Sequence, residues 1–238
     1  MIGQTVTLVA HCQGMIKAIA IDLDDTLLDT SGLLAPRATQ DAFVYLINNG
    51  LRLTLAECEA QRIELIKTIS HRDTFEKLAY EYGDENTKKV VPETIRLFYE
   101  PLIPPHLPML EGARENIDYL KSRYQLYLVT AGTESAQLNK IKSLGLESDF
   151  LKTYVVNSLL KKRKKDAFRE IIALQKIEPD QLLCIGNSIS SEIKDAIEIQ
   201  ALACYFEYGE NRGEISSLPR KPHFHIKHHR ELISTCQL

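Results

Sequence analysis

The chain has 238 residues, a formal net charge of −3 and a charged fraction of 26%. The slight negative charge excludes a generally basic surface of the kind that binds nucleic acid or anionic membranes. No apolar run approaches the ~20 residues of a membrane span. Five cysteines, odd in number and without CxxC spacing, predict reduced thiols rather than disulfides or a zinc site. We therefore expect a cytoplasmic protein without nucleic-acid or membrane partners.

The first predicted element is a buried strand. Residues 16–23 read IKAIAIDL, an almost continuous apolar run that ends in acids. A run of this kind is typical of a strand that is covered on both faces in a parallel sheet. Because Met15 directly precedes the strand, we predict that residues 1–14 form an N-terminal extension.

Residues 33–108 are predicted to form an all-helical insert. Apolar residues recur there at helical spacing between start and stop signals. These signals are Pro36 with Asn49-Gly50, Thr54 with Glu57, Asp73 and Glu76 with Gly83, and Pro92 as the opening residue of a further helix. A proline-rich connector over residues 101–108 then returns the chain to the strand-bearing part.

Strands and helices alternate after the connector. Strands are predicted at residues 126–130, 153–156, 182–186, 202–206 and 224–226, with helical stripes between them and a closing helix at 231–236. Such alternation indicates an open parallel sheet with helices on both faces. We therefore predict an α/β fold, a Rossmann-like doubly wound sheet built from residues 15–32 and 109–238, with the helical insert at 33–108.

The strongest chemical signal is the pair Asp22 and Asp24 at the end of the first strand. Ligands of open α/β sheets bind beyond the carboxyl ends of the strands, and alternation puts both side chains on one side. Two close carboxylates repel each other, and a hard cation such as Mg²⁺ relieves that repulsion. One carboxylate can then attack phosphorus while the other transfers protons.

The stretch AIAIDLDDTLLDT resembles motif I, hhhhDxDxT, of the haloacid dehalogenase (HAD) superfamily. The resemblance implies that Asp22 is the nucleophile and a metal ligand. It implies that Asp24 is the general acid/base and contacts Mg²⁺ through its backbone carbonyl. Thr26 would steady the phosphate-binding loop, and Asp25 falls on a variable position.

Three further segments resemble the other motifs of this superfamily. Thr130, followed by Ala131-Gly132, is similar to motif II, which binds phosphoryl oxygens. The run KKRKK supplies the motif III lysine, for which Lys161, Lys162, Lys164 and Lys165 are candidates; we favour Lys164, with Lys165 second, and the rest of the run is expected to be solvated. The stretch LLCIGNSISSEIKDA is similar to motif IV, with Asn187 and Glu192 in place of two aspartates as metal ligands and Asp195 as a fallback. The smaller negative charge predicts weaker Mg²⁺ binding.

The helical insert resembles the type-one cap of the superfamily, which covers the site and selects the leaving group. His71, Arg72, Arg37 and Arg62 are candidates to face the site from it. The predicted function is Mg²⁺-dependent hydrolysis of a small phosphorylated metabolite through an aspartyl-phosphate, by a monomer or homodimer. The alternatives are a mutase, a phosphonatase with a Schiff-base lysine at Lys67 or Lys77, and a catalytically weak binding or regulatory protein. The histidines at 223, 225, 228 and 229 are attributed to a polar edge strand rather than to a metal site.

Overall fold

The computed structural model describes residues 16–157, 160, 162–210 and 213–238. The predicted extension at 1–14, Cys12 and the candidate Lys161 therefore lie outside the described residues. A six-stranded sheet with every pairing parallel runs in the order β3-β2-β1-β4-β5-β6. Its strands are β1 (Ala18–Ile21), β2 (Gln125–Ala131), β3 (Lys152–Val156), β4 (Leu182–Gly186), β5 (Leu202–Phe206) and β6 (Phe224–Ile226). The predicted doubly wound α/β fold is confirmed.

Ten α-helices are present in the described part of the chain. They are α1 (Thr30–Leu33), α2 (Ala35–Asn48), α3 (Leu55–Leu65), α4 (His71–Tyr82), α5 (Glu85–Tyr99), α6 (Ala113–Lys121), α7 (Glu134–Ser143), α8 (Lys164–Gln175), α9 (Lys194–Glu198) and α10 (Leu232–Cys236). The first five lie between β1 and β2, and α1 begins before residue 33. None of the described helices is long and apolar enough to cross a membrane.

The strands are buried on both faces of the sheet. On one face Ile19, Ile21 and Leu128 belong to a core that includes side chains of α6 and α10, and on the other Ala20 and Val129 belong to a core with α8 and α9. This two-sided burial explains why the strands read as continuous apolar runs. The helices α2–α5 have a core of their own, with Phe43, Phe75, Leu78 and Val91 among its members.

Several predicted helix signals are confirmed, and two are wrong. Thr54 and Glu57 form the capping box of α3. The helix α4 is capped by Ser70 rather than by Asp73, because the Ser70 hydroxyl accepts the N–H of Asp73 in the first turn. Pro92 does not open a helix but lies inside α5, which Asp84 caps eight residues upstream.

The strand order places the end of β1 between those of β2 and β4. The chain passes from β1 to β2 and β3 on one side, and β4, β5 and β6 extend the sheet on the other side of β1. The carboxyl ends of β1, β2 and β4 therefore meet at the point where the strand order reverses, which is where open α/β sheets bind ligands.

Pro92 gives a test of the helix α5. Proline in a helix interior lacks an N–H and costs about 3 kcal/mol, and Pro92 is exposed. Pro92→Ala should raise the free energy of unfolding by about 1–3 kcal/mol, because it restores a backbone hydrogen bond. Pro36→Ala is the control, since Pro36 stands at the start of α2 where no such bond is lost. Denaturant unfolding measures both changes, and destabilisation by Pro92→Ala would contradict the helix interior assigned to it.

Candidate active site

A cluster of buried charges lies at the carboxyl end of β1. The Nζ atom of Lys164, the first residue of α8, lies 2.6 Å from Oδ1 of Asp22 and 3.3 Å from Oε1 of Glu192. The exposed fractions of the three side chains are 6% or less. Burial raises the pKa of Asp22 well above its ordinary value, and Glu192 raises it further while Lys164 opposes both. Two carboxylates share one ammonium group, so the positive charge of the cluster balances only part of its negative charge.

Lys164 is the cationic member of this cluster. Burial by itself lowers the pKa of Lys164, but Asp22 and Glu192 outweigh burial and raise it above its ordinary value. The neighbouring Lys165 lies outside the lining of the site, and its ammonium group is 3.1 Å from Glu198. Of the candidate lysines that the structure describes, Lys164 is therefore the one beside the predicted nucleophile.

Glu192 reaches Asp22 because of local backbone features. It belongs to a π-helical turn (Ile189–Ile193) that follows β4, and such turns are frequent at functional sites. A Cβ atom at Gly186 would lie 2.2 Å from Cγ of Glu192. The missing side chain at Gly186 therefore makes room for the glutamate, which is one methylene longer than the usual aspartate.

Asp24 is held by a second set of polar groups. Its carboxylate accepts hydrogen bonds from Nζ of Lys140 at 2.7 Å, from Nε2 of Gln137 at 3.1 Å and from the Thr30 hydroxyl. Burial alone would raise the pKa of Asp24, but Lys140 and the hydrogen bonds outweigh it and hold the pKa below its usual value. Asp24 is therefore a carboxylate, not a carboxylic acid, in this arrangement.

The predicted motif II residues are only partly exposed to the site. Ala131 lines the cavity described below. Thr130 is fully buried and donates its hydroxyl hydrogen to Oε1 of Gln137. The backbone N–H of Gly132 is donated to the carbonyl oxygen of Val156. In this conformation neither Thr130 nor Gly132 presents its donor to a phosphate.

Thr26 supports the loop after β1 from behind. Thr26 is fully buried, and its carbonyl oxygen lies 2.7 Å from Nε2 of His229. Nδ2 of Asn116 lies 3.2 Å from Nδ1, the other ring nitrogen of His229. Burial lowers the pKa of His229, so the neutral ring donates from Nε2 to the loop. Sequence reasoning missed this support, because Thr26 and His229 are distant in the chain.

Oxygen donors suited to a divalent cation meet in this site. Asn187 follows β4 and lines the same cavity as Asp22 and Glu192. Its Nδ2 donates to the backbone carbonyl of Tyr208 at 3.1 Å, so Oδ1 is the atom of this amide that could bind a cation. No group of three or more His, Cys, Asp or Glu side chains is arranged as a metal site anywhere in the described ranges. The fallback residue Asp195 is instead paired with Arg163. Two carboxylates with one lysine and hard oxygen donors fit Mg²⁺.

A cavity of about 150 Å³ lies between this edge of the sheet and the helices of the insert. The helical side contributes mostly small and apolar side chains. These are Leu34, Ala35, Ala38, Phe98 and Tyr99. The polar lining of the cavity as a whole includes His71, Ser31, Ser188, Ser191 and Glu210. Sequence reasoning singled out His71 but missed Glu210, which lies in a loop outside every motif.

The other predicted insert residues have structural partners. Arg37 and Arg72 form exposed ion pairs with Asp41 and Glu76, and Arg62 is buried between Glu59 and Glu210. Neither Lys67 nor Lys77, the residues considered for a Schiff base, lines the cavity. They are paired with Glu64 and Glu81 on the helix surfaces.

Comparison with known proteins identifies the family. A family model for haloacid dehalogenase-like hydrolases matches residues 16–196, which is more than half of the chain. The chain belongs to this family. The glyceraldehyde 3-phosphate phosphatase of Pyrococcus furiosus is 29% identical to it over 200 residues, with 82% of each chain covered.

Solved structures of HAD-family members share this fold. The HAD-hydrolase YfnB of Bacillus subtilis, described as bound to magnesium, has a TM-score of 0.65 and 20% identity over 94% of this chain and 99% of that one. The 2-haloacid dehalogenase of Pseudomonas syringae pv. Tomato has a TM-score of 0.54 and 16% identity, with 94% and 99% covered. These likenesses establish the fold, and the chemistry has to be inferred from the side chains.

The contact between Gly186 and Glu192 provides a test of the site geometry. The φ of Gly186 lies outside the left-handed region, so alanine is compatible with the backbone. Gly186→Ala should nevertheless cost about 1–3 kcal/mol of stability, because the added Cβ overlaps Glu192. The cost should shrink in a Glu192→Ala background, where the overlapping side chain is absent. Denaturant unfolding of the four proteins in this cycle measures the coupling, and additive effects would contradict the contact.

Proposed function

We propose that this HAD-family protein is a Mg²⁺-dependent phosphatase that hydrolyses a small phosphomonoester through an aspartyl-phosphate on Asp22. The observation that carries the proposal is the buried cluster of Asp22, Lys164 and Glu192, which lines one cavity together with Asp24. The similarity to the glyceraldehyde 3-phosphate phosphatase of Pyrococcus furiosus supports a small phosphorylated substrate.

Asp22, Glu192, Asn187 and the backbone carbonyl of Asp24 would hold the Mg²⁺ ion. The ion would supply positive charge that neutralises the carboxylates and the phosphoryl oxygens. The magnesium described for YfnB supports Mg²⁺ as the ion. Asn187 and Glu192 together supply one carboxylate fewer than the usual pair of motif IV aspartates. This difference supports our expectation of weaker metal binding.

Asp22 performs the first half of the reaction. One of its carboxylate oxygens forms a bond to phosphorus while the bond between phosphorus and the ester oxygen breaks. The ammonium group of Lys164 balances the negative charge that accumulates on the phosphoryl oxygens. Asp24 gives a proton to the departing alkoxide, and the alcohol leaves.

Asp24 has to change protonation state during the cycle. Lys140 and Gln137 favour its carboxylate form, which suits the second half, in which Asp24 removes a proton from the water that attacks phosphorus and releases Asp22. A phosphoryl dianion bound beside Asp24 raises the pKa of this carboxylate. Substrate binding thereby favours the protonated form that the first half requires.

Substitution of the two aspartates tests their separate roles. Asp22→Asn removes the nucleophile, so turnover should fall to the background rate. Asp24→Asn should slow hydrolysis of an alkyl phosphate by about 10²–10⁴-fold. The loss should be smaller for p-nitrophenyl phosphate, because p-nitrophenolate leaves without a proton.

Asp41→Asn on the exposed face of α2 is the matched control and should leave both rates unchanged. Steady-state kinetics with the two esters measures each effect. Full activity in Asp22→Asn would rule out the nucleophile. Equal losses of kcat/KM on both esters in Asp24→Asn would rule out the acid role, because kcat/KM excludes the later hydrolysis of the aspartyl-phosphate that both esters share.

Asn187 tests the metal site. Asn187→Asp adds a carboxylate to the proposed ligands and should lower the Kd for Mg²⁺ by about tenfold, since affinity rises with ligand charge. Asn187→Leu should weaken binding, and Asn48→Asp at the exposed end of α2 is the control. Calorimetric titration measures the Kd, and chelation should abolish hydrolysis until Mg²⁺ is restored. Unchanged Mg²⁺ affinity in both Asn187 variants would contradict this ligand.

A further inference from the structure

The loop that follows β1, residues 23–28, is closed by hydrogen bonds within its own backbone, and we call it the β1 loop. The carbonyl oxygen of Leu23 accepts the N–H groups of Leu27 and Leu28 at 2.9 and 3.0 Å. The N–H of Asp25 donates to the carbonyl oxygen of Leu28 at 2.7 Å. Because these bonds join both ends of the loop, its residues shift together when one part of it is displaced.

Asp24 is carried by the β1 loop, whereas Asp22 is held by the sheet. The N–H of Asp22 donates to the carbonyl oxygen of Ile185 on β4 at 3.0 Å. Asp24 lies inside the loop, next to Asp25, whose φ of +53° is in the left-handed region. A residue other than glycine keeps that conformation only where the surrounding structure holds it. The position of Asp24 therefore depends on what fixes the loop.

His229 fixes the β1 loop from near the end of the chain. Its Nε2 lies 2.7 Å from the carbonyl oxygen of Thr26, and both residues are buried. The leucine side chains of the loop are fully buried as well, but hydrophobic burial has no preferred direction. A hydrogen bond prefers a narrow range of distances and angles. The contact with His229 therefore sets the orientation of the Thr26 carbonyl, which burial of the leucines does not do.

Asn116 on α6 determines which ring nitrogen of His229 carries the proton. Nδ2 of Asn116 lies 2.8 Å from the backbone carbonyl oxygen of His229 and 3.2 Å from its Nδ1. A carbonyl oxygen only accepts hydrogen bonds, so the atom that faces it is the amide nitrogen, and Nδ1 accepts the second amide hydrogen. The proton of the neutral ring therefore lies on Nε2 and is donated to Thr26.

The imidazole ring of His229 is also fixed by packing. A Cβ atom at Gly112, which precedes α6 and has a φ of +81°, would lie 3.1 Å from Cβ of His229. On β5, the ring of Phe206 has its centroid 4.8 Å from that of the imidazole. Close packing of this kind limits the conformations that a buried side chain can adopt. Elements of the core therefore aim the Nε2 donor at the β1 loop.

We propose, on the basis of the phosphatase function above, that His229 is a positioning residue for the protonation of the leaving group. By holding the Thr26 carbonyl, His229 fixes the β1 loop so that Asp24 reaches the ester oxygen. His229 does not line the cavity, touches no reacting atom and transfers no proton. Displacement of a catalytic group by about 1 Å can slow a reaction by about 10²-fold.

Two substitutions of His229 in the full-length enzyme test this role. His229→Leu removes the donor and should lower kcat/KM for glycerol 3-phosphate, an alkyl ester, by about tenfold or more. The loss for p-nitrophenyl phosphate should be severalfold smaller, because p-nitrophenolate leaves without a proton. His229→Gln retains an N–H donor and should restore most of the rate with the alkyl ester. A merely structural role would slow both esters alike and leave their ratio unchanged.

Two further variants are controls for stability and for the loss of a histidine. Leu232 is a buried residue of α10, so Leu232→Ala should lower the free energy of unfolding and leave the ratio of the two esters unchanged. His225→Leu replaces an exposed histidine of β6 that is paired with Glu207, and it should leave both rates unchanged. Denaturant unfolding identifies the temperature at which every variant is folded during the assay.

Asn116 provides an independent test, because it acts on the loop only through His229. Asn116→Ala should change the ratio of the two esters in the same direction as His229→Leu, by a smaller factor. In the His229→Leu background it should cause no further change in the ratio. Nitrogen-15 NMR of the imidazole should show the proton on Nε2 in the wild-type protein. A ring protonated only on Nδ1 would overturn the proposed contact.

The outcomes for this inference and for the proposed function can be told apart. If the wild-type enzyme is active and the ester ratio is unchanged in His229→Leu, the positioning role is overturned and the phosphatase function stands. Equal ratios in His229→Leu and His229→Gln would overturn it as well, since only the second retains the donor. A wild-type protein that hydrolyses neither ester would overturn the phosphatase function, and with it the role assigned to His229.

Discussion

The buried contact of Lys164 with Asp22 and Glu192 determines how the rest of the site is arranged. A buried charge is costly unless it is paired, so the three side chains have to be brought together by the fold. They come from the end of β1, the start of α8 and the π-helical turn after β4, which are distant in sequence. The parallel sheet makes this possible because the carboxyl ends of β1 and β4 lie side by side. Folding of the core and formation of the charged cluster therefore depend on each other.

The insert completes a site that the sheet alone would leave open. Helices α1, α2, α4 and α5 contribute lining residues, and α2–α5 pack around an apolar core of their own. Contact between the two parts includes polar groups, since Glu210 of the sheet side binds Arg62 and His71 of the insert. These three side chains are largely buried, so separating them would leave buried charges without partners.

The sequence predicted the residues whose signals are local and missed those that depend on packing. Asp22 and Asp24 could be assigned because an apolar strand ending in spaced acids is visible within ten residues. Lys164 could be favoured within a basic run, but its contact with Asp22 depends on how α8 packs on the sheet. Glu210 lies in a loop with no periodic pattern, so only the folded chain shows that it reaches the insert. Pro92 misled the helix prediction because the core formed by α2, α4 and α5 stabilises a helix that proline interrupts.

The fold by itself does not decide between the reactions of the HAD family, since a 2-haloacid dehalogenase shares it. The difference lies in what the leaving group requires. A halide departs without a proton, whereas the alkoxide of a phosphomonoester is a poor leaving group until it is protonated. An acid/base two residues after the nucleophile is therefore useful for hydrolysis of a phosphomonoester and not for dehalogenation. In this chain Asp24 is held by Lys140, Gln137 and Thr30. Any buried carboxylate requires such partners, so these contacts fix its position. The presence of a second carboxylate, Asp24, in the same cavity as Asp22 is what favours phosphate ester chemistry over dehalogenation.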